Sequence, residues 1–364
     1  MSTIKVNNIN PPNTGETVSV NSIAMPNAGT FNNRNKIING DMRIAQRGSA
    51  AVTTSTTYPV DRWRQLVQNT SGAVTFQLET TDVPADFNYA IKGTVTTADA
   101  STDGTQRWVI DQKIEGFNSA DLLFGTANAK SVTISFWVKS SSAGVFCVTL
   151  LGGSGRSFIS EYTISSANTW EYKTIVVVGD TSGTWEVTNN TGIQVFFSLT
   201  GGPSLQRTAG SWGTTADCSS NQTQLLQTLN ANWLVTGVQL EAGTNATPFE
   251  RRDYGEELAR CQRYFTWSDD GKGGVYEIGA SINSERIAGP VKFMVPMRTT
   301  PTIIIYSNDL TAGKVNLYNN ATNNLGSGFI AGSVRAAGYR FITNGSGLTP
   351  GLFYSWEWQA DAEL

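Results

Sequence analysis

The chain has 364 residues, which is enough for two or three domains that each bury a core of their own. Charged residues make up only 15% of the sequence and the formal net charge is −3, so the chain offers no basic field to a nucleic acid. Histidine is absent, which excludes Ser-His-Asp, Cys-His and histidine-zinc chemistry.

Residues 1–35 carry little apolar surface and are interrupted by prolines. Such a segment cannot form a core alone. Ile4 with Val6, and Val18 with Val20, nevertheless alternate with polar residues as in a strand. We therefore predict an N-terminal arm that becomes ordered on a partner, with a disordered tail as the alternative.

From residue 36 to residue 250, apolar and polar side chains alternate with a period of two, which is typical of β-strands. Turns rich in Gly, Ser, Thr, Asn and Asp separate the alternating runs. Because each run has one apolar face and one mixed face, we predict a two-sheet antiparallel sandwich of the jelly-roll type. The predicted strands lie near residues 74–78, 107–115, 132–139, 145–151, 174–178, 193–199 and 233–240.

Residues 251–266 have the pattern of a short helix that connects two β-domains. Asp253 followed by Glu256 predicts a capping box, and acidic residues in the first turn with Arg260 and Arg263 in the last suit the helix dipole. One apolar face is predicted from the spacing of Tyr254, Leu258, Cys261 and Phe265.

Residues 267–364 again alternate with a period of two and contain prolines at the predicted strand edges. The predicted fold class is therefore mainly β: an antiparallel jelly-roll sandwich (36–250) and a smaller C-terminal β-domain (267–364), joined by the short α-helix. The predicted strands of the C-terminal domain lie near residues 291–295, 302–306, 314–317, 339–342 and 352–358.

Cys147, Cys218 and Cys261 are odd in number and far apart, so we expect small buried side chains and neither a disulfide framework nor a zinc site. The acidic loops at 99–104 and 269–271 are expected to be solvated turns and not calcium sites. No metal and no cofactor is predicted. The sequence shows no signal peptide and no apolar run of 18 residues, so we expect folding in the cytoplasm.

Four sequence motifs follow one another where the predicted sandwich meets the connecting helix. They are Val235-Thr-Gly-Val-Gln-Leu-Glu-Ala-Gly243, Ala246-Thr-Pro-Phe-Glu250, Tyr254-Gly-Glu-Glu-Leu258 and Cys261-Gln-Arg-Tyr264, and together they form a junction. It closely resembles the junction of a large family of bacteriophage and prophage tail-fibre or fibre-like virion proteins. Blocks similar to those of the family recur in the same order over most of the chain, at 35–48, 58–63, 112–116, 132–139, 170–174, 179–185 and 360–364.

The resemblance implies a virion component that is assembled in the host cytoplasm, and it implies a jelly roll of the galactose-binding-like, carbohydrate-module kind. It further implies a homotrimer that contacts host cell-surface polysaccharide. The charge balance predicts no nucleic-acid partner, and the lack of a long apolar run predicts no membrane insertion. Fibre-like proteins usually dock by their N-termini. The candidate residues for docking onto other virion proteins are therefore Ile4, Val6, Ile9, Val18 and Val20. For the trimer, we expect Tyr354, Trp356 and Trp358 to be exposed in a monomer.

Aromatic side chains suit sugars, because an indole ring stacks on the C–H face of a pyranose while polar neighbours bind its hydroxyl groups. Trp137 is predicted to face away from the apolar side of its strand, and Trp170, Trp185 and Trp212 lie in turn-rich segments. These four are the candidate glycan-binding residues, with ordinary packing as the alternative for each. Trp63, Trp108 and Trp233 are expected to be in the core.

The acidic residues are scattered and form no recognisable catalytic block, so we expect a protein that is not an enzyme. The leading hypothesis is a structural virion fibre involved in host recognition. A purely architectural head- or tail-decorating protein and a glycan depolymerase are the alternatives.

Overall fold

The computed structural model describes residues 19–20, 23–24, 33–48, 50–53, 55–152, 155–268, 276–318, 327–343 and 345–364. It confirms the predicted fold class, because an antiparallel β-sandwich is followed by a short helix and a smaller β-domain. Of the predicted docking residues, Ile4, Val6, Ile9 and Val18 lie outside the described residues, and Val20 lies in a strand whose side chains are not described. No helix among the described residues is long and apolar enough to cross a membrane.

The strands before residue 250 are β1 (Ser19–Val20), β2 (Ile23–Ala24), β3 (Thr57–Val60), β4 (Trp63–Gln68), β5 (Ala73–Glu79), β6 (Ala90–Thr97), β7 (Arg107–Glu115), β8 (Val132–Ser140), β9 (Gly144–Gly152), β10 (Arg156–Ile164), β11 (Glu171–Val177), β12 (Thr191–Gly201), β13 (Gln206–Arg207), β14 (Trp212–Thr214), β15 (Cys218–Ser219) and β16 (Asn232–Ala242). Those after residue 250 are β17 (Phe265–Trp267), β18 (Glu277–Asn283), β19 (Arg286–Lys292), β20 (Thr302–Tyr306), β21 (Asn316–Leu317), β22 (Ile330–Gly332), β23 (Gly338–Thr343) and β24 (Phe353–Asp361). The helices are α1 (Gly116–Ser119) and α2 (Tyr254–Gln262), with single 3₁₀ turns at Ala120–Leu122, Pro203–Leu205 and Leu225–Gln227.

The sandwich consists of a seven-stranded sheet, in the order β14-β10-β9-β12-β7-β4-β3, and a five-stranded sheet, in the order β11-β8-β16-β6-β5. Their facing sides form one hydrophobic core, to which alternate residues of β8 and the fully buried Trp63, Trp108 and Trp233 contribute, as expected. Full burial of a large apolar side chain contributes roughly 1.5–3 kcal/mol, so this core holds the two sheets together.

Every strand predicted in the sandwich is present, but the alternation did not reveal β3, β4, β6, β10 or β14. In β6 the reason is Gly93, because a Cβ atom at that position would lie 2.7 Å from the ring of Trp108. The close approach of an indole from β7 requires a residue without a side chain. The apolar pattern of β6 is therefore interrupted where its packing is tightest.

The C-terminal β-domain is organised around β24, which pairs with β17, β18, β20 and β21. The prediction that Tyr354, Trp356 and Trp358 are exposed is wrong: they are 1%, 0% and 5% exposed and form the core of this domain. Gly289 makes room for them, since a Cβ atom there would lie 2.2 Å from the Trp356 ring. These aromatic residues therefore give no argument for a trimer.

Helix α2 is confirmed, but its predicted capping box is wrong. Asp253 occupies the N-cap position without a capping hydrogen bond from its side chain, and Glu256 pairs with Arg260 at 2.7 Å. The predicted apolar face is only partly correct, because Cys261 is buried whereas Tyr254 is exposed and Phe265 lies in β17.

The segment 34–47, which we call the entry segment, is not a strand but is largely buried. Asn35 donates to and accepts from the main chain of β16, and its main-chain N–H donates to Glu250 at 2.7 Å. At the other end, Arg47 pairs with Asp361 at 3.1 Å and with Glu363 at 3.3 Å. The entry segment therefore contacts both the sandwich and the C-terminal domain. The predicted domain boundaries stay a prediction.

Candidate functional site

A cleft of about 760 Å³ lies on the outer face of the seven-stranded sheet. Its floor is formed by side chains of β7, β9 and β12, and one wall is the loop between β11 and β12. Arg298 and Leu364 of the C-terminal domain close one end. The residues that line the cleft include Lys113, Gly152, Trp185, Glu186, Gln194, Thr215, Arg298 and Leu364.

The floor is polar because outward-facing residues of β7 and β12 alternate with the core-facing ones. The carboxylate of Asp111 accepts two hydrogen bonds from Arg64, at 2.9 and 3.0 Å, and one from Gln194 at 2.6 Å. Burial raises the pKa of Asp111, and the Arg64 guanidinium opposes this. The Asp111 carboxylate thus holds Gln194 in place.

Two cationic side chains, Lys113 and Arg298, line the same end of the cleft. Lys113 donates to the main-chain oxygen of Leu364 at 2.9 Å. Arg298 donates to main-chain oxygens of Asn189, Ala362 and Glu363 at 2.9, 2.7 and 3.1 Å. Burial lowers the pKa of both side chains. Neither forms an ion pair with an Asp or Glu side chain within the described residues.

Trp185 supplies the aromatic part of the cleft wall and is 9% exposed. Its ring lies over Gly152, where a Cβ atom would be 2.8 Å from ring atoms. The indole nitrogen donates to the Ser182 carbonyl at 3.2 Å, and the ring contacts Phe124 and Trp212 edge-on with centroids 4.8 and 5.4 Å apart. Trp185 is therefore a rigid wall whose edge reaches the cleft.

Glu186 is the acidic side chain among the described residues that line the cleft. Its carboxylate accepts hydrogen bonds from the Thr188 main chain at 2.7 Å and from Asn190 at 3.5 Å. The hydrogen bonds from Thr188 lower the pKa of Glu186, so it is ionised at neutral pH.

The structure separates the four predicted tryptophans into two groups. Trp185 and Trp212 contact each other, but Trp185 is among the described cleft-lining residues and Trp212 is not. Trp212 is partly buried, packs against Phe158 with centroids 5.4 Å apart and donates to the Val178 carbonyl at 2.7 Å. Trp137 lies on the outer face of the five-stranded sheet, with its ring centroid 5.4 Å from that of Tyr172.

Trp170 belongs to the second group. Its indole nitrogen donates to Asp82 at 3.1 Å, and Lys139 binds the same carboxylate at 2.7 Å. The four residues therefore do not form one site. Sequence reasoning missed Lys113, Gln194 and Arg298. The outward phase of the first two on their strands was a usable signal, whereas nothing local marks Arg298.

The acidic loop at 99–104 closes on itself. Asp99 accepts hydrogen bonds from Thr70 at 2.7 Å, Ser101 at 2.9 Å and Gln106 at 2.6 Å, and the first two lower its pKa. Asp269 and Asp270 lie outside the described residues. In the part of the chain that the structure describes, no group of three or more His, Cys, Asp or Glu side chains could hold a metal ion.

No protein-family model matches the sequence, and no curated protein matches it. Among solved structures, the enzymatically active domain of bacteriophage CBA120 tailspike protein 4 matches with 12% identity and a TM-score of 0.33, over 57% of this chain and only 21% of the tailspike chain. A family 11 carbohydrate-binding module from Clostridium thermocellum matches with 14% identity and a TM-score of 0.29, over 55% of this chain and 99% of the module. TmCBM61 in complex with β-1,4-galactotriose matches with 12% identity and a TM-score of 0.29, over 58% and 99% of the two chains. At these identities and TM-scores the likeness carries no conclusion about function.

Proposed function

We propose that the protein is a fibre-like virion protein that binds host surface glycan, without catalysis, in the cleft on the seven-stranded sheet. The observation that carries this proposal is the composition of the cleft: an aromatic wall, a fixed amide on the floor and cationic donors at one end. An open cleft of this size accommodates several sugar rings, whose C–H faces pack on the indole while their hydroxyl groups bind polar side chains. The family resemblance of the sequence supports the virion role.

Binding without catalysis is supported by the acids around the cleft. Hydrolysis of a glycosidic bond requires two carboxyl groups on opposite sides of the bond. Glu186 has the one acidic side chain among the described lining residues, and Asp111 below the floor is bound to Arg64 and Gln194. The cleft therefore has aromatic and polar groups that can bind a saccharide. Its described lining residues include one acidic side chain, whereas hydrolysis requires two carboxyl groups.

The test is a glycan array read with two matched variants. Thr215→Trp places a large ring in the cleft from an exposed position, and Thr174→Trp places the same ring on the exposed face of β11 in the other sheet. We expect Thr215→Trp to lose binding by tenfold or more, about 1.4 kcal/mol, and Thr174→Trp to bind as the unmodified protein does. Equal binding by both variants would move the site elsewhere.

The same array distinguishes the alternatives. If no glycan is bound by the unmodified protein, the architectural role is favoured. If a bound polysaccharide acquires new reducing ends during incubation, the protein is a depolymerase and the non-enzymatic proposal is wrong.

We also propose a homotrimer, on the basis of an exposed apolar face of the C-terminal β-domain. Ile278, Ile282 and Phe353 lie next to one another on the outer face of the C-terminal sheet, and the last two are 59% and 55% exposed. Tyr318 and Tyr276 extend this apolar face, with ring centroids 6.5 Å apart. A continuous exposed face of this kind favours association between copies of the chain. Light scattering that gives a monomer mass at micromolar concentration would exclude the trimer, and Ile282→Asp is expected to produce that mass.

Docking onto other virion proteins is assigned to residues 1–32. The truncation should stop there, because Arg34 and Asn35 donate main-chain hydrogen bonds to Glu250 at 3.3 and 2.7 Å. We expect the truncated protein to fold and to keep its oligomeric state but not to join particles. Its incorporation into virions at the normal level would show that docking uses another surface.

A further inference from the structure

The acidic side chains beneath the cleft floor are paired with arginines, whereas the two cationic side chains at its end form no ion pair with an Asp or Glu side chain among the described residues. Asp111 is bound by Arg64, and Glu115 is bound by Arg263 through two hydrogen bonds of 2.8 Å. Lys113 and Arg298, which lie at the same end of the cleft, have main-chain oxygens as their hydrogen-bond acceptors.

Both cations line the cleft and have N–H donors that are not used in the hydrogen bonds described above. An ammonium group has three N–H donors and Lys113 uses one, while a guanidinium group has five and Arg298 uses three. Both residues line the cleft and are only partly buried, so a ligand in the cleft can reach their remaining N–H groups. Both side chains hold the segment 362–364, which places them next to each other.

The surroundings of Lys113 are electropositive. Burial and then the Arg64 guanidinium are the main reasons that the pKa of Lys113 is lowered, and Arg62 and Arg298 act in the same direction. Asp111 opposes the shift. An anion at this end of the cleft would relieve the repulsion among these groups and would form charge-assisted hydrogen bonds, which are shorter and stronger than neutral ones.

From this geometry we infer that the cleft selects a saccharide that carries an anionic group, a carboxylate or a phosphate, and that Lys113 and Arg298 bind that group. The inference rests on the proposed glycan-binding function and adds the ligand class. Glu186, which is anionic and lies in the wall formed by the β11–β12 loop, fixes the orientation: it repels an anion, so neutral rings lie beside Trp185 and Glu186 while the anionic group lies beside the two cations.

The experiment measures the affinity of the full chain for matched pairs of saccharides by calorimetry. One pair is an oligogalacturonate and the same oligosaccharide with its carboxyl groups reduced to alcohols. The other is a phosphorylated mannan oligosaccharide and its dephosphorylated form. The first pair tests a carboxylate and the second a phosphate as the source of the negative charge. We expect the acidic member of at least one pair to bind about 10- to 100-fold tighter than its neutral counterpart, because charge-assisted hydrogen bonds to one anionic group contribute a free energy of that size.

Lys113→Gln and Arg298→Gln should each reduce that preference by tenfold or more, and Lys292→Gln, at an exposed position of β19 in the C-terminal domain, is the matched control that should not. If a cleft variant melts at a lower temperature, its loss of affinity could come from partial unfolding. In that case the salt dependence of saccharide binding is measured on the unmodified protein instead. Binding of the acidic member should then weaken as sodium chloride is raised, with no such change for the neutral member.

Equal affinity within each pair, or a preference that Lys113→Gln and the salt titration leave unchanged, would overturn the inference. The proposed function would stand in that case if neutral glycans still bind and Thr215→Trp still blocks them. Absence of binding to every glycan on the array would overturn the proposed function, and the inference with it.

Discussion

The ion pair between Arg263 and Glu115 is the strongest candidate for a contact that fixes helix α2 to the sandwich. The side chain of Glu115 is fully buried, and both of its oxygens accept hydrogen bonds of 2.8 Å from Arg263, which is 34% exposed. Removing one partner of a buried pair costs about 3–5 kcal/mol, because it leaves an uncompensated charge. Arg298 also lies close enough to Glu115 to lower its pKa, so we expect Arg263→Ala to cost about 2–4 kcal/mol.

The pair should be measured as a double-mutant cycle by urea unfolding. Arg263→Ala, Glu115→Gln and the double variant should give a coupling energy of about 1–3 kcal/mol, since the double variant leaves no buried charge unpaired. Arg260→Ala is the matched control on the same helix. Its pairing with Glu256 is exposed, so the cost should be about 0.3–0.5 kcal/mol. If the two single substitutions have additive effects on the free energy of unfolding, the ion pair does not fix helix α2 to the sandwich.

The pH dependence gives a second reading of the same pair. Burial raises the pKa of Glu115, but the hydrogen bonds from Arg263 outweigh it, so the pKa in the folded protein lies below its ordinary value. The stabilisation is therefore complete above the pKa of the unfolded chain and is lost as the pH falls through the folded value. The difference between the unmodified protein and Arg263→Ala should shrink when unfolding is repeated below about pH 4.5.

Three further predictions concern stability. Gly289→Ala should cost about 1–3 kcal/mol in thermal unfolding, because its Cβ atom would lie 2.2 Å from the Trp356 ring; an unchanged melting temperature would show that the ring moves freely. Trp212→Ala should cost less than the roughly 3–5 kcal/mol of a fully buried tryptophan but more than the outward-facing Trp137→Ala, because the partly buried Trp212 ring packs against Phe158 and the core; equal losses for the two variants would contradict this. Glu79→Gln should cost about 1–2 kcal/mol at pH 7, because hydrogen bonds overcome the effect of burial and lower the pKa of Glu79 to about 2; a difference that does not narrow between pH 4.5 and pH 2 would contradict this.

The sheets of the sandwich could be predicted because their strands have one buried and one mixed face. In β8, the alternation of Val132, Ile134 and Phe136 with polar residues was sufficient for both the strand and its orientation. In β24 the same alternation identified the strand but assigned Tyr354, Trp356 and Trp358 to the exposed face, although they lie on the buried one. Period two shows which residues share a face, and only the position of neighbouring strands decides which face is covered.

The cleft could not be predicted as a unit, because its residues are far apart in the chain. Lys113 and Gln194 are 81 residues apart, and Arg298 enters from another β-domain. Aromatic residues in turn-rich segments were a usable guide to Trp185 but equally selected Trp212, which is partly buried, packs against Phe158 and is not among the described cleft-lining residues. Composition therefore identified candidate aromatic residues but did not show which of them line the cleft.

The entry segment has a mechanical consequence. A load that arrives along the chain at Arg34 first meets the hydrogen bonds of Asn35 with β16 and Glu250, and beyond them the ion pairs of Arg47 with Asp361 and Glu363. The contacts with the sandwich therefore carry the load first, and the ion pairs with the C-terminal domain carry it once those contacts have broken. If the proposed attachment through residues 1–32 is correct, a pull on the far end of the protein would first break the contacts of Asn35 with Glu250 and β16, and the ion pairs of Arg47 would then resist further extension.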